Sequence, residues 1–173
     1  MLLQFMMYLC TGILPVNIGN LLTYLPKTTK FGIGVATAGT LIMGIISILT
    51  FGYYCDKISE KFSRKKIFIY TNFIWILAFG LSSLAPNYFF YLGFVITSAI
   101  GTGAFLPIGY SMIGDLFSPD VRGRKYGVMQ FSLVLGVGMG IIFGGLFGRY
   151  LGSFGWRYAY GLGFILSSLT LIF

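Results

Sequence analysis

The sequence predicts an all-α membrane protein with six transmembrane helices, and three observations support this fold class. Hydrophobic residues make up 57% of the chain and charged residues only 9%, whereas a soluble domain carries about 25% charged residues. The 25 glycines are typical of closely packed membrane helices. The chain contains six apolar segments of about the length needed to cross a bilayer. Together they predict a single bundle over residues 1–173. They cover residues 2–24, 31–54, 67–84, 88–116, 124–147 and 157–173.

Turn and capping residues mark the ends of these segments. The first segment lacks the basic start and the small-residue cleavage site of a signal peptide, so we interpret it as a permanent helix. Pro86 and Asn87 separate the third segment from the fourth. Ser118 followed by Pro119 is typical of a helix start and precedes the fifth segment. The sixth segment is still apolar at Phe173, so we expect a further half of the protein to follow it.

The loops on the two sides of the predicted bundle differ in positive charge. Eight basic residues lie on the side of the second and fourth loops, and four lie on the opposite side. Because Lys and Arg collect in cytoplasmic loops, we expect the first side and the N-terminus to face the cytoplasm of a multi-pass protein of the cell membrane. The larger group is Lys57, Lys61, Arg64, Lys65, Lys66, Arg122, Arg124 and Lys125; the smaller is Lys27, Lys30, Arg149 and Arg157.

Composition also argues against several functions. The net charge of +8 reflects basic loop residues, which collect on the cytoplasmic side of membrane proteins, so we expect no nucleic-acid partner. The chain has no His and only two Cys, which predicts no metal site and no cofactor. No acid lies well inside a predicted span and no nucleophile is paired with a base, so we do not expect an enzyme.

The charges at the cytoplasmic end are placed against the helix dipoles. Asp56 and Asp115 lie near predicted helix C-termini, where an anion is disfavoured, and several cations lie near helix N-termini. One interpretation is that these charges pair between helices, with Asp115 and Arg64 as partners, in a network that forms and breaks. The other is that they are solvated loop charges. The cations are Arg64, Lys65, Arg122 and Arg124.

The loop between the second and third segments resembles the signature loop of the major facilitator superfamily. The residues are GYYCDK at 52–57 and FSRKK at 62–66, against a family pattern of G-x-x-x-D-[RK]-x-G-[RK]-[RK]. Ser63 stands in place of the glycine, and residues 58–61 form an insertion of about one helical turn. The resemblance implies a cytoplasmic gate in which an acid contacts the other half of the transporter. The residues carried over are Gly52, Asp56, Lys57, Arg64, Lys65, Asp115 and Arg122.

Glycines in the fifth segment recur every fourth residue and so share one helix face. Small residues at this spacing allow two membrane helices to approach closely. The stretch 140–145 resembles the family pattern G-P-x-x-G-G, with Ile141 in place of the proline, and residues 155–158 resemble the G-W-R-[WY] that opens the sixth helix. The expected packing residues are Gly136, Gly140, Gly144, Gly145 and Gly148.

Positions that carry charge in related families are neutral in this chain. Thr97 stands where the family pattern R-x-x-x-G-x-G has arginine, and Asn17 stands where spinster-like members have aspartate. We therefore predict that this half does not itself bind a proton. Asn17, Thr97, Gln130 and Tyr110 are the polar side chains expected near a central cavity, unless they serve as hydrogen bonds between helices.

The resemblance implies the N-terminal six-helix half of a 12-helix major facilitator fold, arranged as two inverted three-helix repeats. The implied function is secondary-active transport of a small solute by alternating access, with an apolar or weakly polar solute favoured by the neutral, aromatic interior. The expected partners are the lipid bilayer, the solute, and the missing C-terminal half or a second copy. The alternative is a six-helix membrane scaffold or pore that self-associates through the glycine face.

Overall fold

In a computed structural model, the described residues of the chain form seven α-helices joined by short connections. The structure describes residues 1–59 and 63–172, and the side chains at positions 56, 58, 59 and 172 lie outside its described part. A short 3₁₀ turn, Gly152–Phe154, precedes the last helix. The helices are α1 (Leu2–Val16), α2 (Ile18–Tyr24), α3 (Lys30–Ser59), α4 (Arg64–Ser83), α5 (Tyr88–Leu116), α6 (Pro119–Tyr150) and α7 (Gly155–Ile172).

Four of these helices, α3 to α6, are long and apolar enough to cross a membrane. Helices α1 and α2 together form a fifth candidate span that is bent by 65°. Helix α7 has 18 residues and is not among these candidates. The described residues therefore provide four to five apolar spans, where the sequence predicts six.

The first predicted helix, residues 2–24, is two helices in the structure, α1 and α2, and this corrects the expectation of one continuous helix. Pro15 lies inside α1 and has no N–H to donate to the preceding turn. Asn17 then has backbone angles of φ −104° and ψ 8°, and its N–H donates to the Leu14 carbonyl. Its side chain donates to the Ile13 carbonyl at 3.0 Å. Asn17 therefore supplies hydrogen-bond donors to two carbonyls of the last turn of α1, at the break.

Three helices extend beyond the apolar segments that predicted them. Helix α3 continues to Ser59, α4 begins at Arg64, and α6 begins at Pro119 with Ser118 as its N-cap residue. Hydropathy marks only the part of a helix that lies in lipid, whereas the backbone hydrogen bonds of a helix continue into polar sequence. The charged residues of the loops therefore belong to the helix ends.

Among the described residues, three helix pairs make the most extensive contacts in the bundle: α1 with α6, α3 with α5, and α4 with α5. Helix α7 packs on both α4 and α1. Aromatic residues fill the centre, where Phe79 of α4 stacks on Tyr160 of α7 with ring centroids 4.4 Å apart. Trp75 and Trp156 are almost completely buried around this contact.

Candidate functional site

Arg64 and Asp115 form an ion pair at the end of the bundle where α4 begins and α5 ends. The same Arg64 nitrogen, Nη1, donates to the Ser111 hydroxyl at 2.8 Å, one turn earlier on α5. The Arg64 side chain is 29% exposed and that of Asp115 is 57% exposed. The pair therefore lies at the surface of the bundle, with Arg64 partly covered by α5.

Each member of this pair is unfavourably placed with respect to its own helix. Arg64 is the first residue of α4, and Asp115 is the second-last residue of α5. A cation at a helix N-terminus and an anion at a C-terminus each oppose the macrodipole, by about 0.3–1 kcal/mol at exposed sites. Their contact offsets both penalties at once. It also links α4 to α5, because Ser111 and Asp115 follow Arg64 by 47 and 51 residues in the sequence.

The remaining residues of the proposed gate motif are spread over this end of the bundle. Gly52 and Lys57 lie exposed in the last part of α3, and Lys65 is exposed in the first turn of α4. Asp56 belongs to α3, but its side chain lies outside the described residues. Arg122 belongs to α6, where its Nε donates to the Phe117 carbonyl at 2.8 Å, just after the end of α5. The structure thus brings Arg64 and Asp115 together and places Arg122 in a separate, local contact.

The glycine face of α6 packs against α1. A Cβ on Gly136 would lie 2.6 Å from the Phe5 carbonyl oxygen, and one on Gly140 would overlap the backbone of Leu9. Further along, a Cβ on Gly144 would lie 2.8 Å from Val16. The last residue of the stripe, Gly148, faces the side chains of Asn17 and Asn20. Helix α1 therefore occupies this face within the chain.

Gly145 does not belong to this contact, which corrects its expected grouping with the packing glycines. A Cβ added at Gly145 would meet no atom within 4 Å. The reason is helical geometry, because residue 145 follows Gly144 by one position and is rotated by about 100° from the face that meets α1.

The four polar residues expected near a central cavity lie in different places. Asn17 is completely buried and donates to the Gly144 carbonyl at 3.1 Å, so it holds the break of α1 against α6. Thr97 is exposed and bonds to the Gly93 carbonyl of its own helix. Gln130 donates to the Tyr110 hydroxyl, which links α6 to α5.

A cavity of about 370 Å³ lies instead between α1, α3 and α5, with α4 and α7 behind it. None of the four residues above lines this cavity. Its walls are mostly apolar, and its polar side-chain groups are hydroxyls, one thiol and the indole N–H of Trp75. The hydroxyl residues are Tyr8, Thr11, Thr37, Thr40, Ser98, Thr102 and Tyr160.

Sequence reasoning missed these hydroxyl residues, although a signal was present. Thr37 and Thr40 are three residues apart and so share one face of α3, and Ser98 and Thr102 are four apart on α5. Threonine and serine bond readily to their own helix, so they carry little information until the facing helices are known. The pairing of α3 with α5 makes them one surface.

Comparison with known proteins identifies the family. The family model described as Major Facilitator Superfamily matches residues 1–173, which is the whole sequence. The chain belongs to the major facilitator superfamily. The apolar helices of the described residues fit a multi-pass membrane protein of this superfamily.

Several characterised relatives share this region. A sphingosine-1-phosphate transporter of Xenopus tropicalis is 30% identical over 91% of this chain and 34% of its own length. Citrate exporter 1 of Aspergillus niger is 29% identical over 73% of this chain and 24% of its own length. Multidrug resistance protein 3 of Bacillus subtilis is 26% identical over 93% of this chain and 30% of its own length. The chain therefore spans about a quarter to a third of the length of these relatives.

Proposed function

We propose that the chain is the N-terminal six-helix half of a secondary-active transporter that moves a small solute by alternating access. The observation that carries this proposal is the family match over residues 1–173. The relatives match along about a third of their length, which fits a chain that supplies one half of a larger transporter. A C-terminal half or a second copy then completes the protein.

The helix contacts support an arrangement of two inverted three-helix repeats. The bent pair α1 and α2, then α3 and α4, form the first repeat, and α5, α6 and α7 form the second. In this arrangement the bent pair α1 and α2 corresponds to α5, α3 to α6, and α4 to α7. The contact of α1 with α6 therefore corresponds to that of α5 with α3, and both contacts are extensive. Likewise, the contact of α4 with α5 corresponds to that of α7 with α1. A pseudo-twofold axis of this kind is usual in transporters with inverted repeats.

The contact of α1 with α6 and the contact of α3 with α5 are both made through glycine. On one side Gly12 of α1 meets Gly140 of α6, and on the other a Cβ on Gly103 of α5 would lie 2.5 Å from the Gly44 carbonyl oxygen of α3. Close backbone approach at equivalent places in the two repeats supports the same symmetry.

The ion pair between Arg64 and Asp115 supports the position of the gate. In the proposed mechanism it fixes the start of α4 against the end of α5 while Asp56 contacts the other half and closes the cytoplasmic side. We place this end and the N-terminus in the cytoplasm, because eight of the twelve basic residues lie there, and the protein in the cell membrane.

The proposed solute is apolar or weakly polar. The solutes named for two relatives, sphingosine-1-phosphate and citrate, are anions. No cationic side chain of the described residues lines the cavity between α1, α3 and α5. An anion without a compensating partner is costly to bury, so this half is better suited to an uncharged group. The self-associating scaffold is less well supported, because α1 covers the glycine face that it would use.

Reciprocal accessibility of two cysteines tests alternating access in the full-length protein. Thr37 and Ile48 both line the cavity on α3 and are separated along it by about 16 Å, at a rise of 1.5 Å per residue. In a cysteine-free background, Thr37→Cys and Ile48→Cys report the openings on the outer and the cytoplasmic side. We expect Asp56→Asn to increase thiol labelling at position 48 and decrease it at position 37.

Asp120→Asn serves as the control, because Asp120 is an exposed acid in the first turn of α6. It should leave both labelling rates unchanged. A simultaneous increase at positions 37 and 48 in Asp56→Asn would indicate an open pore, and unchanged labelling at both would contradict the gate.

A further inference from the structure

The hydroxyls of the cavity are already committed as hydrogen-bond donors. Thr11, Thr37 and Thr40 each donate to the carbonyl four residues earlier, at 3.0, 3.0 and 2.7 Å. Ser98 and Thr102 donate to the carbonyl three residues earlier, at 2.7 and 3.2 Å. Each hydroxyl has one proton and two lone pairs, so each of these five lining residues uses its proton within its own helix and retains oxygen lone pairs that can accept a hydrogen bond.

Two other polar groups of the wall are engaged with neighbours outside it. The Tyr160 hydroxyl lies 3.2 Å from that of Tyr91, and the Cys10 thiol lies 3.9 Å from the Ser167 hydroxyl. Tyr8 adds a phenol and Trp75 an indole N–H, and both groups can donate. Among the described residues, the cavity thus offers more acceptors than donors and no formal charge.

This imbalance selects the polar group of a ligand. A carboxylate or phosphate accepts several hydrogen bonds and needs donors or cations around it, and a neutral phenol and an indole N–H do not compensate the burial of its charge. An alcohol or a primary amine donates, and five hydroxyl oxygens are available to accept from it. The aromatic residues Trp75, Phe79 and Tyr160 line the same cavity, and the face of an aromatic ring attracts an ammonium group.

We propose that this cavity binds an amphiphile that donates hydrogen bonds and carries no negative charge, namely an alkyl chain with a primary alcohol or amine. The apolar wall accommodates the chain, and the lone pairs of Thr37, Thr40 and Thr102 receive the polar group. The volume of about 370 Å³ lies within the range of ligand sites, about 300–1,000 Å³. This inference rests on the proposed transport function, since it names the solute class that the cavity of this half accepts.

Site-mapped photolabelling of the full-length protein in lipid nanodiscs tests the inference. The probes are alkyl diazirines of one chain length that end in an alcohol, an amine, a carboxylate or a methyl group. Labelled peptides identify insertion into α1, α3 and α5 at cavity residues, which separates binding from partition into lipid. We expect the alcohol and the amine to label these residues at least about tenfold more than the carboxylate, because that ratio corresponds to one good hydrogen bond or more.

A double variant, Thr40→Val with Thr102→Val, removes two hydrogen-bond acceptors from the cavity wall at nearly constant side-chain volume. It should reduce labelling by the alcohol about three- to tenfold and leave labelling by the methyl probe unchanged, which shows that the cavity still exists. Thr50→Val is the matched control. Thr50 is an exposed threonine of α3 that bonds to the Ile46 carbonyl in the same way and does not line the cavity.

The outcomes separate this inference from the proposed function. Equal or stronger labelling by the carboxylate overturns the inference, as does loss of methyl-probe and alcohol labelling together in the double variant. Absence of labelling by every probe overturns it as well. None of these results affects the reciprocal accessibility of positions 37 and 48, which depends on the gate and needs no ligand.

Discussion

Gly12 of α1 lies directly against Gly140 of α6, with no side chain between the two backbones. A Cβ on Gly12 would be 3.1 Å from the Gly140 Cα, and one on Gly140 would be 3.0 Å from the Gly12 Cα. The most extensive helix contact of the bundle thus depends on two residues without side chains. Because lipid tails compete with apolar side chains for the helix surface, close packing of this kind is a main source of helix association in membranes.

Replacement of Gly140 by alanine should destabilise the protein. The new methyl group would overlap the Leu9 carbonyl, and this atom belongs to the backbone, so α1 must shift. Overpacking of a tight contact costs about 1–3 kcal/mol. We expect a lower thermal unfolding midpoint in detergent for Gly140→Ala.

Gly138→Ala is the matched control on the same helix, because a Cβ there would meet no atom within 4 Å. It should leave the midpoint unchanged or raise it slightly, since alanine favours helix over glycine by about 1 kcal/mol. Equal effects of the two substitutions would show that α1 does not pack on the Gly140 face.

The corresponding contact between α3 and α5 should respond in the same way. In Gly103→Ala the methyl group would lie 2.7 Å from the Ser47 Cβ and against the Gly44 carbonyl. We expect a loss of about 1–3 kcal/mol, measured as above. Gly93→Ala, on an open part of α5, is the comparison. A neutral Gly103→Ala combined with a costly Gly140→Ala would contradict equivalent packing in the two repeats.

Asn17→Leu should destabilise the bend between α1 and α2. The Asn17 amide is completely buried and donates to two carbonyls, those of Ile13 and Gly144. The loss of a partner for a buried polar group costs about 1–3 kcal/mol. Asn20→Leu removes a bond to the Asn17 side chain alone and should cost less. Equal unfolding midpoints in Asn17→Leu and the unaltered protein would show that the amide is not needed at the break.

The membrane class and the family could be predicted from the sequence, and the family is confirmed. Apolar composition and a local loop motif carry that information without any knowledge of tertiary contacts. Pro15 gives the break at Asn17 a local cause, but the way the break is held could not be predicted, because the Asn17 side chain donates to the Gly144 carbonyl, 127 residues away. The hydroxyl wall could not be predicted either, since Thr40 and Thr102 share a surface only once α3 packs on α5. The roles of Asp56 and Arg64 in a gate remain predictions.

The ion pair between Arg64 and Asp115 should act on the conformational equilibrium more than on stability. Exposed ion pairs contribute about 0.2–1 kcal/mol, which is small beside the energy of the helix contacts. The same energy shifts a two-state equilibrium by about 1.4- to 5-fold. We therefore expect Arg64→Ala and Asp115→Asn each to increase thiol labelling of Ile48→Cys by that factor, with little change in the unfolding midpoint.

A double-mutant cycle isolates the pair from other contacts of Arg64. If the two charges act through each other, Arg64→Ala with Asp115→Asn should change labelling no more than either substitution alone, so the coupling energy equals the single effect. Arg124→Ala is the control for a general loss of positive charge, because Arg124 is an exposed cation near the start of α6. Additive effects of the two single substitutions would show that Arg64 and Asp115 act independently, and an equal increase in Arg124→Ala would assign the effect to the surface charge as a whole.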